Sequence, residues 1–263
     1  DRSDRVDLLV AELHDANAQL RAANESLKEL RDAAERDLAE RSALFTAASH
    51  DFRQRLHALK LLAHDDGPDA MSRLGGQVDE IERYVSDILD FARAENNALR
   101  PRVCVIALQA VFQGLELAFE DLAQARNVEM RFRPTSVRVK SDPTLLQRML
   151  ENLLVNAMRF TRGTVLVAAR RRNDGSIAIQ VWDRGPGMSP EALARVFQPY
   201  NQADKPADQG GKRECGGLGL AVVSQFAVAL EYSVTVRSRP DRGTVFEVAI
   251  PATHVATHDE ADI

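Results

Sequence analysis

Four groups of side chains in this sequence have types and spacings suited to chemistry. His50 stands beside an acid in Ser49-His50-Asp51-Phe52-Arg53-Gln54-Arg55-Leu56. A neutral imidazole is a nucleophile, and an adjacent carboxylate can accept its second ring N–H and stabilise the imidazolium as a bond forms. Asn152 and Asn156 lie four apart in the run Glu151 to Phe160, so on a helix both amides share one face. Two neutral oxygen donors with room for water suit Mg2+ carried in on phosphates, because that ion keeps several waters; a helix with an exposed polar face is the alternative. Arg159, in the same run, could reach a phosphate. Asp183-Arg184-Gly185-Pro186-Gly187-Met188 puts an acid at the end of a strand, ahead of two glycines. Such a backbone can approach a planar ligand closely, and the carboxylate can accept a hydrogen bond from the exocyclic amine of adenine, though an ordinary tight turn uses the same residues. Cys215-Gly216-Gly217-Leu218-Gly219-Leu220 opens a helix, and free N–H groups there would face a phosphate; a lid hinge is the competing reading. Gly243-Thr244 in the last hairpin is a weaker signal, and Trp182 reads as core.

Long helices must carry the histidine. From the N-terminus a heptad seam runs through Val6, Leu13, Leu20, Leu27 and Ala34, with Leu9, Ala16, Ala23, Leu30 and Asp37 at the companion position. Charged residues flank it, which is the coiled-coil pattern. The step from Ala34 to Leu38 is a stutter, after which the seam is Leu38, Phe45, Phe52 and Leu59. In that phase His50 falls on the outermost position, and a buried histidine is disfavoured by geometry. The breakers at residues 65–69 end the helix. A second amphipathic helix runs from Met71 to Ala92, closed by Asn96-Asn97 and Pro101. Two such hairpins are expected to dimerise into a four-helix bundle.

Beyond about residue 103 the pattern changes to mixed elements. Helices are expected at 108–125, from Pro143 to about 160, at 190–196 and at 218–230, with Ser141 or Asp142 capping the second. Strands are expected at 128–132, 137–139, 164–171, 176–183, 232–238 and 244–250. Asn173-Asp174-Gly175 turns one hairpin. Residues 199–216 read as a long functional loop. The order implies an α/β sandwich, a mixed sheet with helices on one face. The domain reading is a coiled-coil signalling helix at 1–40, a helical hairpin at 41–100, the sandwich at 101–252 and a disordered tail at 253–263.

Composition narrows the classes. The 263 residues carry a net charge of −5 with 28% charged and 44% hydrophobic residues, an ordinary globular mixture with no basic surface calling for nucleic acid. Arg170 to Arg172 read as a solvated hairpin end. Two cysteines, Cys104 and Cys215, suit a reducing compartment rather than a disulfide framework. No apolar run approaches the ~20 residues that span a bilayer. The start at Asp1 in mid-helix pattern suggests a cytoplasmic fragment whose upstream sensor is missing and whose full protein could be membrane-anchored.

In order and spacing the motifs resemble those of the sensor histidine kinases of two-component systems, over about residues 40–251. The octapeptide around His50 looks like their phosphoacceptor box, Asn152–Phe160 their asparagine box, and Asp183–Met188 and Cys215–Leu220 their two glycine boxes. Phe197-Gln198-Pro199-Tyr200 resembles the phenylalanine box between them. The resemblance implies a homodimeric phosphotransfer hairpin and a Bergerat-type catalytic domain binding ATP and Mg2+. In that scheme Asp183 selects adenine, Phe160 lines the base or ribose pocket, Asn152 and Asn156 hold Mg2+, and Arg159, Gly217 and Gly219 steady phosphates. Gly185, Gly187, Leu218, Leu220 and Thr244 complete the nucleotide site. His50, with Asp51 as its acid, takes the phosphoryl group and passes it to an aspartate of a response-regulator receiver domain. Three positions depart from the pattern. Arg55 replaces the usual proline, which suggests a straighter helix. Gln54 replaces Thr or Asn, leaving phosphatase activity toward the regulator an open expectation. Cys215 replaces a glycine, as a tolerated hinge residue or a redox site. Two other functions stay open: a nucleotide-binding scaffold with little kinase activity, and another Bergerat-fold ATPase or a serine kinase of the anti-sigma type.

Overall fold

The computed structural model describes residues 2–63, 67, 70–95, 99–161, 163–199 and 217–256. The chain divides into two compact units, residues 1–54 and 55–263. The first consists of most of helix α1 (Arg2–Leu62), a single element of 61 residues. Its seam leucines Leu20, Leu27, Leu30 and Leu38, and Phe45, are 60–69% exposed. The stutter at Ala34 does not interrupt the helix, and His50 is exposed as its phase requires.

In the second unit α2 (Ala70–Glu95) buries Tyr84, Phe91 and Ala94. A short strand β1 (Cys104–Ala107) then leads into α3 (Leu108–Arg126). Its buried residues Leu108, Phe112, Leu115, Phe119 and Ala123 recur every three or four positions, one apolar stripe of a helix. Asn127, in the left-handed conformation at φ 52°, ends it. After β2 (Glu129–Phe132) comes β3 (Arg138–Ser141), which pairs antiparallel with β1. The sequence reading missed β1, whose four residues are too few for a period-two signal. Asp142 caps α4 (Pro143–Phe160): its carboxylate accepts from Thr144 N at 2.9 Å and Leu145 N at 3.1 Å, and Pro143 opens the helix.

Strands β4 (Thr164–Arg171) and β5 (Ile177–Trp182) form a hairpin. Asp174 holds its turn by accepting from Ser176 N at 2.9 Å and Ser176 Oγ at 2.6 Å. The short α5 (Pro190–Ala194) and the longer α6 (Gly219–Ala229) precede the closing hairpin of β6 (Ser233–Arg239) and β7 (Gly243–Ile250). The five-stranded sheet has the order β2-β4-β5-β7-β6, with β2-β4 parallel and the rest antiparallel. Val165, Val167, Ile179, Val181, Phe246 and Val248 are at most 1% exposed. They form one side of a core completed by the buried faces of α3, α4 and α6.

Three expectations are corrected. Trp182 is not core: it alternates with fully buried Val181, is 39% exposed, and its indole donates to Gln180 Oε1 at 3.2 Å. Arg172 is not merely solvated, because it pairs with buried Glu247, which also accepts from Gln180. The described start of the predicted tail is folded. A 3-10 turn at Ala252–His254 is followed by a bridge from Val255 to Val139, and Ala256 N donates to Arg138 O at 3.0 Å. An edge strand with unpaired backbone groups recruits such a segment. Residues 257–263 and most of the 199–216 loop, including Cys215, lie outside the described residues.

Candidate functional site

Helix α4 buries Leu153 and Leu154 completely and leaves Asn152 and Asn156 half-buried on another face. The apolar residues thus fix the rotation of the helix, and that rotation presents both amides together. The N-terminus of α6 comes to the same place: a Cβ at Gly219 would lie 3.3 Å from Asn152 Oδ1. Glycine here lets the first turn of α6, with its unpaired N–H groups, lie against the asparagine. Leu218 is buried, while Gly217 and Leu220 are half-buried. At the end of α4, the Arg159 guanidinium lies 5.6 Å from the centre of the Phe160 ring, which is 49% exposed.

Asp183 leaves β5 buried, and its Oδ1 accepts from Gly185 N at 2.7 Å. Burial raises its carboxyl above the ordinary value, against the lowering effect of hydrogen bonds from the Gly185 and Thr244 backbones. Two glycines near Asp183 pack tightly against other backbone. At Gly187, φ is +72° and a Cβ would sit 2.0 Å from Arg239 O; at Gly243, φ is +83° and it would sit 2.1 Å from Asp183 O. Both glycines are therefore demanded by backbone packing. Ser238 joins the two turns: its hydroxyl accepts from Met188 N at 2.9 Å, donates to Gly243 O at 3.1 Å and lies 2.9 Å from Thr244 Oγ1. A lone serine in a strand gave no sequence signal for this. Phe197 packs edge-on to Phe246 with ring centres 6.3 Å apart; its neighbour Tyr200 lies outside the described residues.

Among the described residues no cluster of three or more His, Cys, Asp or Glu could hold a metal. A divalent ion would depend on the amide oxygens of Asn152 and Asn156 and on oxygens of its own ligand. That donor set fits Mg2+ in its usual phosphate-bound form.

On α1, Gln54 is half-buried and Asp51 is buried, its Oδ2 without a hydrogen-bond partner. The expected bond from the His50 ring to Asp51 is not made, because successive side chains on a helix do not face each other. Arg55 is not an idle replacement for proline. It is buried, pairs with Glu80 at 2.8 Å and stacks over the Tyr84 ring at 4.5 Å. The helix continues past it, as the missing proline predicts.

A second set of contacts was not anticipated. Arg148 of α4 pairs with Asp90 and bonds Ser86 Oγ, both of α2. Asp87, between them, has its carboxyl pushed up to about 6 by burial, against the lowering effects of Arg148, a hydrogen bond from Asn152, and Arg83 and Arg55. The spacing of Arg148 and Asn152, four apart on one helix face, was visible in the sequence; their partners in α2 were not.

Residues 141–254 match the family described as histidine kinase-, DNA gyrase B-, and HSP90-like ATPase. The sensor histidine kinase CusS of Escherichia coli K12 is 35% identical over 177 residues, covering 67% of this chain and 36% of that protein. The sensor-like histidine kinase SenX3 of Mycobacterium tuberculosis H37Rv is 29% identical over 225 residues, covering 81% of this chain and 54% of that protein. The chain thus spans about half or less of the relatives it matches. In fold it is similar to the Acinetobacter baumannii histidine kinase AdeS, with a TM-score of 0.60 at 22% identity, over 79% of this chain and 96% of that one. Motif order, the sandwich with its asparagine face, and the aligned relatives agree, and the chain belongs to the bacterial sensor histidine kinases.

Proposed function

We propose that this chain binds ATP with Mg2+ in the sandwich and transfers the γ-phosphoryl group to His50, from which it passes to an aspartate of a receiver domain. The observation that carries the reading is the meeting of Asn152 with the start of α6 at Gly219, in a chain that also carries an exposed histidine on a separate helix. An imidazole nitrogen attacks the γ-phosphorus, the bond to the β–γ bridging oxygen breaks, and ADP leaves. Mg2+ would neutralise charge on the β- and γ-phosphates, held by Asn152 and Asn156. Asp183 accepts from the adenine amine and Phe160 lines the base. Arg159 and the backbone at Gly217 and Gly219 steady the phosphates, and Leu218 and Leu220 position that turn. Gly185, Gly187 and Thr244 shape the loop around Asp183. Asp51 acts on the imidazolium through its charge rather than a hydrogen bond, and Gln54 positions water for dephosphorylating the regulator.

The exposed seam of α1 supports a homodimer, since apolar stripes of this length are buried by a second helix. No helix among the described residues is long and apolar enough to cross a membrane. On its likeness to sensor histidine kinases we assign the kinase segment to the cytoplasm, joined to a sensor. Incubation of the purified chain with γ-labelled ATP should give an acid-labile, base-stable label that His50→Gln abolishes. Full labelling of that variant would overturn the assignment. ATP binding without any phosphohistidine would favour a scaffold instead, a reading that the Arg55 clamp on Glu80 and Tyr84 keeps in play.

A further inference from the structure

Gln180 and Glu247 are only 6% and 7% exposed. Yet both alternate with the core residues Ile179, Val181, Phe246 and Val248, so they lie on the face of the sheet turned away from α3, α4 and α6. The two are paired across β5 and β7, and Arg237 of β6 lies on the same face. Arg170, paired with Ala178 across the β4-β5 hairpin, does so as well. Arg170, Arg172, Arg237, Gln180 and Glu247 line a cavity of about 490 Å3, and the short side chain of Ala178 leaves the room between them. Glu247 accepts from Gln180 and pairs with Arg172, and Arg237 lies 3.7 Å from it. One buried carboxylate therefore holds two guanidiniums, one from the hairpin end and one from β6. Each guanidinium has five N–H donors in a fixed fork, of which a shared carboxylate uses only part. With Arg170 and Arg171 exposed beside them, the cavity is strongly cationic in a chain of net charge −5. A buried ion pair adds little to stability over an apolar pair, so folding alone does not account for a carboxylate sunk among arginines.

We propose that this cavity is a docking site for an acidic, extended segment of a partner protein, whose carboxylates seat on the guanidiniums of Arg170, Arg172 and Arg237. Three features select that occupant. A carboxylate is planar and matches a guanidinium fork with two parallel hydrogen bonds, and Glu247 already fixes the forks of Arg172 and Arg237. Arg170 and Arg172 are two residues apart, and alternate side chains of an extended segment recur at about 6.8 Å, so acids at alternate positions meet both. The field is also local. At physiological salt it is screened within about 8 Å, which suits a short segment, whereas a long polyanion such as nucleic acid also meets the acidic remainder of the chain. The sheet stands between this cavity and helices α4 and α6, so a docked segment leaves Asn152, Asn156 and Gly219 uncovered. The inference does not depend on the nucleotide reading.

The test uses the full chain and a short fluorescein-labelled peptide of alternating Glu and Ser, with a peptide of alternating Gln and Ser as its control. Fluorescence anisotropy at about 0.15 M salt should show binding of the Glu peptide and none of the Gln peptide. Arg170→Glu combined with Arg237→Glu should weaken binding by about thirtyfold or more, since like charges then face each other. Arg237→Lys keeps the charge but loses the fork, and should weaken binding about threefold to tenfold. Unchanged binding in the double variant, equal binding of the two peptides, or no binding of the Glu peptide overturns the proposal. So does a thymidine oligonucleotide that binds more tightly than the Glu peptide, which would make the face a nucleic-acid surface. The chain has acids of its own at Asp259, Glu260 and Asp262. If Asp259→Asn with Glu260→Gln and Asp262→Asn binds the peptide more than about threefold more tightly, that segment is the occupant and a partner is ruled out. If the double arginine variant does not fold, Arg237→Lys decides by the same comparison.

Discussion

Helix α1 and the sandwich use apolar residues in opposite ways. In α1 the seam positions Leu20, Leu27, Leu30 and Leu38 are 60–69% exposed, whereas in the sandwich Leu146, Leu150, Leu153 and Leu154 are fully buried. Burying a leucine is worth about 1.5–3 kcal/mol, and the sandwich collects that gain within one chain. The helix can collect it only by meeting another helix, so its order depends on concentration. The division suits the proposed labour of the two parts. The nucleotide site needs side chains fixed on a rigid scaffold, while a signalling helix benefits from a packing arrangement that can change.

The comparison can be broken most directly at the nucleotide face. Asn156→Ala or Asp183→Ala should lower autophosphorylation by about a thousandfold, roughly 4 kcal/mol of barrier. Light scattering should still report the dimer; a monomer in either variant would mean that the two regions are not independent. Next in size is the core. Leu153→Ala should cost about 3 kcal/mol, within the range for a buried leucine, and chemical denaturation should give the same loss at every protein concentration. The seam behaves otherwise. Leu27→Glu should raise the dimer dissociation constant more than about tenfold, or ~1.4 kcal/mol, while the sandwich melts unchanged; a fall in its melting temperature would contradict a self-contained core. Asp142→Ala is the mildest change. Losing the cap of α4 should cost about 1 kcal/mol, together with the bond that Asp142 accepts from Arg102 N at 2.7 Å, without altering the dimer.

Much of the site was legible because it is local. The four-residue step from Asn152 to Asn156 needs only a helix, and the apolar phase through Phe45 and Phe52 already turned His50 outward. The cap at Asp142 and the turn at Asn173–Gly175 follow from the same short-range rules. Long-range partners were not legible. Four-residue β1 acquires its meaning only from β3, and Val255 only from Val139. Trp182 looked like core because a large aromatic beside buried valines usually is. Helices cover one face of the sheet, and strand parity put Trp182 on the other, beside Gln180.

The residue order alone determined the family, through the order of its motifs, and the fold class, through periodicity, and it put Asn152 and Asn156 on one helix face. Only the tertiary structure decided what Gly187 and Gly243 are for, where Arg55 goes, and that α2 holds Arg148 and Asn152. Each of those depends on which distant backbone or carboxylate arrives at the same point. A sequence specifies that meeting through the packing of the whole core, not through any spacing that can be read along the chain.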